Sequence, residues 1–459
     1  MKTNFTISPE LLQAPEEKRQ KIVTNLAKAL QIEPLDLHEH ETPHLLLKSN
    51  FFEDPHSEHL MEPIGRLERQ LYELIDVKGL YKALMRFFGI PKKFWQIEKS
   101  WIPMRKSKWD NVKTLDGSPL TEEQWNRLNN LFNEYLDVPR EQIEDLIVKA
   151  NMAAREYGEQ DMGERDKVSK IKTLPTSIQS AVKVKDISPQ HANMLQYAVD
   201  HAVINLTHTT EVGKHLVLNV LLDSLSRTGG VTATKAQRME HTRSLAHRLF
   251  QEMGLADTAE GGKLGFLNRD WLRVAITEAN DAAANGYLMG LSPGELVAGI
   301  AHPDACSHCT KLIAGRIYKL TADPPESMDS AEEGSAKYKA LVKRWQTELW
   351  IGKSNYGLRL SPRKREGGKL VPRKPHELAK ATIPLHPWCR CRWMRINPEV
   401  AYVNGSGEIT YLTPGKPLPD AYKRWVQREP LVQEKLRQMR QDKALMFLKP
   451  DELNFLKAA

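Results

Sequence analysis

In segments up to Pro293, apolar residues recur at every third or fourth position, the period of amphipathic helices. The stripe from Leu71 to Phe88 predicts one such helix. Thr121 and Gln124 have the spacing of a capping box ahead of Trp125, Leu128 and Leu131, and Pro139 opens a helix through Ile143, Leu146 and Ile147. A polar, basic run from Lys167 to Lys185, with Pro175 inside it, interrupts the pattern. Helical spacing then resumes. Ser188-Pro189 starts a helix, a second runs from Leu216 to Leu225, and past Gly229-Gly230 a third carries Leu245, Leu249 and Met253 before Gly254. Beyond Gly261-Gly262, Asn268 or Asp270 is placed to cap a helix whose Leu272, Ala275, Ile276, Ala279, Ala283 and Gly286 share one face. Residues that small permit close helix packing.

After Pro293 the texture is mixed. Leu312 to Tyr318 reads as a short strand, Asp323 to Glu333 is acidic, and Tyr338, Leu341, Val342, Trp345 and Leu349 lie on one helical stripe. A long basic loop follows. Tyr402-Val403 and Ile409-Thr410-Tyr411 flank Asn404-Gly405-Ser406-Gly407, a hairpin signal, and the remaining residues predict polar helices. The expected fold class is mainly α, multi-domain, with a small α+β C-terminal module stapled by zinc. Residues 1–166 form a helical N-terminal domain that binds partners, 167–187 a linker, 188–398 a metal-bearing domain, and 399–459 a β-hairpin and helical tail.

At 459 residues, 41% hydrophobic and 27% charged, the composition is that of a soluble protein with a sizeable core. No apolar run approaches the roughly 18 residues that span a bilayer, and the amino terminus lacks the pattern of an export signal. No membrane partner is expected. The net charge of +8 is concentrated: between Arg359 and Arg395 there are eleven Lys or Arg against Glu366 and Glu377. Such a stripe neutralises phosphates and releases counterions, which makes Arg359, Arg363, Lys364, Arg365, Lys369, Arg373 and Lys374 candidate contacts to double-stranded DNA without sequence preference. A solvated loop, or a surface for an acidic protein, is the alternative.

All four cysteines fall in two clusters, Cys306-Ser307-His308-Cys309 and His386-Pro387-Trp388-Cys389-Arg390-Cys391. Close pairs with a nearby histidine are metal-ligand spacing, so Cys306, Cys309, His386, Cys389 and Cys391 are the candidate ligands of one tetrahedral zinc. Two disulfides suit a large chain with no export signal less well. Four protein donors fill the coordination sphere and leave no place for water, so the zinc is read as structural and no residue as catalytic. Other metal patterns fail. His40-Glu41-Thr42-Pro43-His44 has a proline where the peptidase motif needs a helix, and the cluster of His38, His40 and His44 reads as a surface loop. The deaminase arrangement of His-x-Glu before Pro-Cys-x-x-Cys is absent. Glu278, after Thr277, reads as an exposed flank position, with a base or a partner to a metal ligand as the alternative. The enzymatic alternative is a metal-dependent nuclease using His302, Asp304, His308 and His386, and a host zinc-containing nucleic-acid-binding protein is the third reading.

Thr277-Glu278 on a helix with small residues, Cys306-x-x-Cys309 followed by Leu312 and Gly315, a variable middle, and His386-Pro387-x-Cys389-Arg390-Cys391 together resemble the phage Mu F-like minor head protein, or phage head morphogenesis, family. The resemblance spans roughly residues 240–396, and its last motif is the specific part. It implies a minor capsid component in the phage head at the portal vertex, assembled in the bacterial cytoplasm with the portal and other head proteins. It further implies effects on packaged DNA or its ejection, a mainly helical domain with a cysteine- and histidine-bearing end, and no established catalytic activity.

Overall fold

The computed structural model describes residues 62–90, 120–159, 173–183, 187–227, 235–253, 255, 266–302 and 305–458, apart from 306–308, 311–312, 324, 327–329, 352–362, 367–368, 373–382, 386–388 and 414. It is mostly helical, with a small sheet toward the carboxyl end. The stripe expected as one helix is two, α1 (Glu62–Tyr72) and α2 (Val77–Phe87). Asp76 divides them, because its carboxylate accepts the Gly79 N–H at 2.7 Å and so caps α2. α3 (Glu122–Leu136) starts with the capping box: Thr121 Oγ1 accepts the Gln124 N–H, and Gln124 Oε1 accepts the Thr121 N–H at 2.8 Å. α4 (Arg140–Glu159) follows Pro139.

The run expected as a linker contains a short helix, α5 (Ile178–Val182). It is tied to α4, since the Ile178 N–H donates to Glu144 Oε1 at 2.9 Å. α6 (Pro189–Arg227) is one helix through both predicted segments. Its single glycine does not break it: a Cβ at Gly213 would lie 2.2 Å from Leu267 Cδ1, so the missing side chain makes room for a neighbour. α7 (Lys235–Glu252) buries Leu245 and Leu249, with Met253 buried just past its end. α8 (Phe266–Met289) begins ahead of Asn268 and Asp270, so neither caps it; Asp270 is buried and faces Arg273 at 3.5 Å.

Helices α1 to α8 share one hydrophobic core running from Ile64 to Ala283, with Trp271 of α8 fully buried and its indole N–H donating to the Tyr72 carbonyl at 2.9 Å. α8 packs most extensively on α4, then on α6 and α1. The α4 contact is close because glycines meet backbone: a Cβ at Gly286 would sit 2.0 Å from Asn151 O, and one at Gly158 2.4 Å from Tyr287 O. The small face read from the sequence is this contact.

The last turns of α8, still against α4 at Gly286 and Tyr287, also cover a four-stranded sheet, with Ala284 and Leu288 in its core. Its strands are β1 (Leu296–Ile300), β2 (Ile317–Thr321) and, after α9 (Ala336–Thr347), β3 (Glu348–Trp350). Past a separate hairpin, β4 (Arg363–Glu366) and β5 (Lys369–Pro372), the fourth strand is β6 (Arg392–Ile396). The order is β3-β2-β1-β6, with β1 antiparallel to both neighbours and β2 parallel to β3. Two expectations are corrected here. The strand placed at Leu312 to Tyr318 lies later, and Leu349 leaves the helical stripe to pair with Leu320 across β3 and β2. The hairpin around Asn404 is β7 (Ala401–Val403) and β8 (Ile409–Tyr411), turned by Asn404 Oδ1, which accepts the Ser406 and Glu408 N–H groups. α10 (Asp420–Arg428) and α11 (Pro430–Gln441) bury Tyr422, Trp425, Val432 and Leu436 in a third core against Tyr402. All described residues belong to one compact unit.

Gly286→Ala tests the close contact. The added methyl improves intrinsic helix propensity by about 1 kcal/mol, yet it must displace the Asn151 backbone, so a net loss of about 1–3 kcal/mol is expected from urea denaturation. A variant as stable as the parent would contradict the packing.

Candidate metal centre

β1 and β6 run antiparallel with Ile300 opposite Arg392, so the chain leaves β1 at the same end of the sheet at which it enters β6. Cys309 follows the first strand and Cys389 and Cys391 precede the other. Sheet pairing therefore brings together cysteines 80 residues apart: Cys309 and Cys389 Sγ are 3.7 Å from each other, and all three sulfurs lie within 4.8 Å of one another. Cys306 and His386 lie outside the described residues. Sulfurs bound to one tetrahedral zinc at about 2.3 Å stand about 3.8 Å apart, so the observed spacing fits such an ion. The three side chains are not in disulfides, are each at most 2% exposed, and are packed among Leu288, Val297, Ile313 and Trp393.

Backbone and side-chain hydrogen bonds hold the cluster. The Cys309 carbonyl accepts the Ile313 and Ala314 N–H groups, fixing a helical turn. Buried Asn280 of α8 donates from Nδ2 to the Cys389 carbonyl at 2.6 Å and reaches the Cys391 carbonyl at 3.4 Å. The His302 backbone N–H reaches the Cys391 sulfur. Hydrogen bonds from Cys389 and Cys391, together with burial, push the Cys309 thiol far up. Cys391 is also raised: its bond with Cys309 opposes the shift, and the Cys389 thiol and burial outweigh it. Three anionic sulfurs in so apolar a place need a cation, which this donor set is suited to hold. Among the described residues it is the one group of His, Cys, Asp or Glu side chains whose ligand atoms converge in this way.

Glu278 is not the exposed flank position expected. It is 4% exposed, with Oε2 2.8 Å from His201 Nδ1 of α6 and Oε1 accepting from Asn205 Nδ2 at 2.9 Å. Asp281, one turn along α8, is equally buried, and its Oδ1 has no hydrogen-bond partner among the described residues. Polar residues at 278, 280, 281 and 285 within an alanine-rich stretch were the sequence signal for this interior network; its partners on α6 had no signal. Of the nuclease candidates, His302 takes part through its backbone, while Asp304, His308 and His386 lie outside the described residues.

Of the proposed DNA contacts, Arg363, Lys364 and Arg365 fall on β4 and Lys369 on β5, in the register Arg363↔Pro372 to Glu366↔Lys369. Arg359, Arg373 and Lys374 lie outside the described residues, as do His38, His40 and His44. Two cations counted in the basic stripe are engaged internally. Arg390 pairs with Glu68 at 2.7 Å, and Arg395 with Glu295 at 3.1 Å. No family model matches the chain, and neither does any curated protein or solved structure.

Burial, and after it the neighbouring Glu278 charge, hold the Asp281 carboxyl well above its usual range. The folded chain then keeps a proton that the unfolded chain releases near pH 4. Stability from this group is fully present below that pH and is lost as pH rises through the folded-state pKa. Asp281→Asn, neutral throughout, should melt at a higher temperature than the parent at pH 7 and match it near pH 4. Calorimetry at both values checks this, and a variant that melts lower at pH 7 would show that the carboxylate is paired.

Proposed function

We propose that this chain is a phage minor head protein of the portal vertex, acting in head assembly and in DNA packaging and ejection, with a structural zinc and sequence-independent contact to DNA. The observation that carries the reading is the meeting of Cys309 with Cys389 and Cys391 beneath α8. These cysteines belong to the two motifs that resemble the head morphogenesis family, and α8 carries the Thr277-Glu278 of the same resemblance.

The ligand set is drawn from Cys306, Cys309, His386, Cys389 and Cys391. Zinc supplies the charge that the sulfurs require and cross-links the two chain segments at one end of the sheet. A structural zinc contributes on the order of 10 kcal/mol of apparent binding energy, while closing a loop costs only about 0.6 kcal/mol more per doubling of its length. The protein's residues supply binding and burial here, and no proton or group transfer is assigned to them.

The helical half before residue 166 is assigned the portal and other head proteins. It is rich in amphipathic stripes and carries no candidate chemistry. Its helices share a core with α6 and α8, so the test uses the full chain. Co-expressed with its portal, it should be retained by tagged portal and found in purified heads. Its absence from heads would overturn the assignment. Among the described residues no helix is long and apolar enough to cross a membrane. The basic stripe is assigned packaged or ejecting DNA, where high local concentration removes any need to read base edges.

Two measurements follow from the metal and the charge. Cys391→Ser should release zinc, read by metal analysis, and lower the melting temperature; unchanged zinc content would remove the metal from this reading. Changing Arg363, Lys364, Arg365 and Lys369 together to Gln should weaken duplex binding and flatten the slope of log affinity against log salt by roughly 0.9 per lost phosphate contact. If the stripe instead docks on an acidic protein surface, the same variant keeps its DNA affinity and fails to enter heads.

A further inference from the structure

The residue between the two neighbouring cysteines reaches across the molecule. Arg390 Nη2 donates to Glu68 Oε2 of α1 at 2.7 Å, over a sequence separation of 322 residues. The side chains are 14% and 3% exposed. α1 otherwise docks through Ile64, Leu67 and Leu71, which are apolar and would accept small changes of rotation or register. An ion pair in such a place adds little net stability, because removing both charges from water offsets their attraction; losing one partner is costly, because the other is left buried and uncompensated. Its effect is to fix which way α1 lies.

Arg390 can reach Glu68 only while the residues on either side of it are held. Asn280 holds them through the Cys389 and Cys391 carbonyls. On the metal reading of the preceding subsection, on which this argument rests, the ion holds them through the Cys389 and Cys391 sulfurs. We infer that metal binding at the cysteine cluster and docking of α1 are coupled through the Glu68–Arg390 pair, with Glu68 a positioning residue for a metal it does not touch. Coupling between two equilibria is reciprocal. An ion in the cluster seats Arg390 and secures α1. A seated α1 presents the Glu68 carboxylate, holds the Cys389–Cys391 segment in its binding conformation and strengthens metal affinity.

The test measures zinc affinity of the full chain by competition with a chromophoric chelator, for the parent, Glu68→Leu, Arg390→Leu and the double variant, with circular dichroism confirming helix content in each. Outer partners of metal ligands typically contribute 10–100-fold to affinity. Either single change should weaken zinc binding by roughly 10-fold or more. The double variant, in which the link is already absent, should bind zinc about as weakly as either single variant, rather than with the two losses multiplied. That non-additivity is what two independent losses of packing would not give. In hydrogen exchange, zinc removal should deprotect residues 62–72 in the parent, while in the double variant that segment should respond little to zinc. Parent-like zinc affinity in Glu68→Leu, or strictly additive losses in the double variant, would overturn the coupling while leaving the metal centre intact. A parent chain that takes up no zinc would overturn the metal reading itself, and the coupling with it.

Discussion

Helix α8 is the constraint around which the rest is arranged. It is covered by α4, α6 and α1 for most of its length and by the sheet at its end, so nearly every side chain along it must fit against backbone or find a polar partner. Both demands are visible. Alanines and Gly286 let α4 approach to backbone contact, while Glu278 and Asn280 reach out to α6 and to the cysteine segment. A helix of this kind cannot rotate by one residue without breaking both sets. That rigidity makes it a platform: the same element that organises the helical core also fixes the carbonyls of two candidate metal ligands.

The cysteine cluster depends on this platform and on one strand pairing. Antiparallel register between β1 and β6 sets where the two cysteine segments emerge, and Asn280 sets their depth beneath α8. Metal would therefore meet a site whose backbone is largely arranged by other forces. What it adds is charge. Mutual hydrogen bonding among the thiols, with burial, disfavours isolated negative sulfur here, and the three sulfurs form a group that could hold a metal ion.

Local signals were legible in the sequence and distant ones were not. The Thr121–Gln124 box and the Asn404 turn are contained within a few residues, and both appear as read. Asp76 is just as local, but a continuous apolar stripe on either side hid its capping role. Leu349 was assigned to a helix because it continues the stripe of Trp345, and only β2, far off in sequence, draws it into a strand. Glu278 was misplaced for the same reason: spacing along one helix cannot show that His201 and Asn205 wait 77 and 73 residues earlier. The cysteine spacing announced a shared site, but the helix above it and the ion pair behind it came from α8 and α1, which carry no metal-site signature.

The placement of the basic segment follows from the same economy. It leaves the sheet after Trp350 and returns at Ile383, and Leu349, Ile351, Ile383 and Leu385 are all packed into the core that holds the cysteines. With both ends anchored there, the chain between them can lengthen at a cost that grows only logarithmically. Concentrated positive charge repels itself and would be expensive inside an apolar core. Arg390 and Arg395, which flank the return, are each matched by a carboxylate. The cations of the excursion number far more than its two glutamates, so they cannot all be paired within the segment.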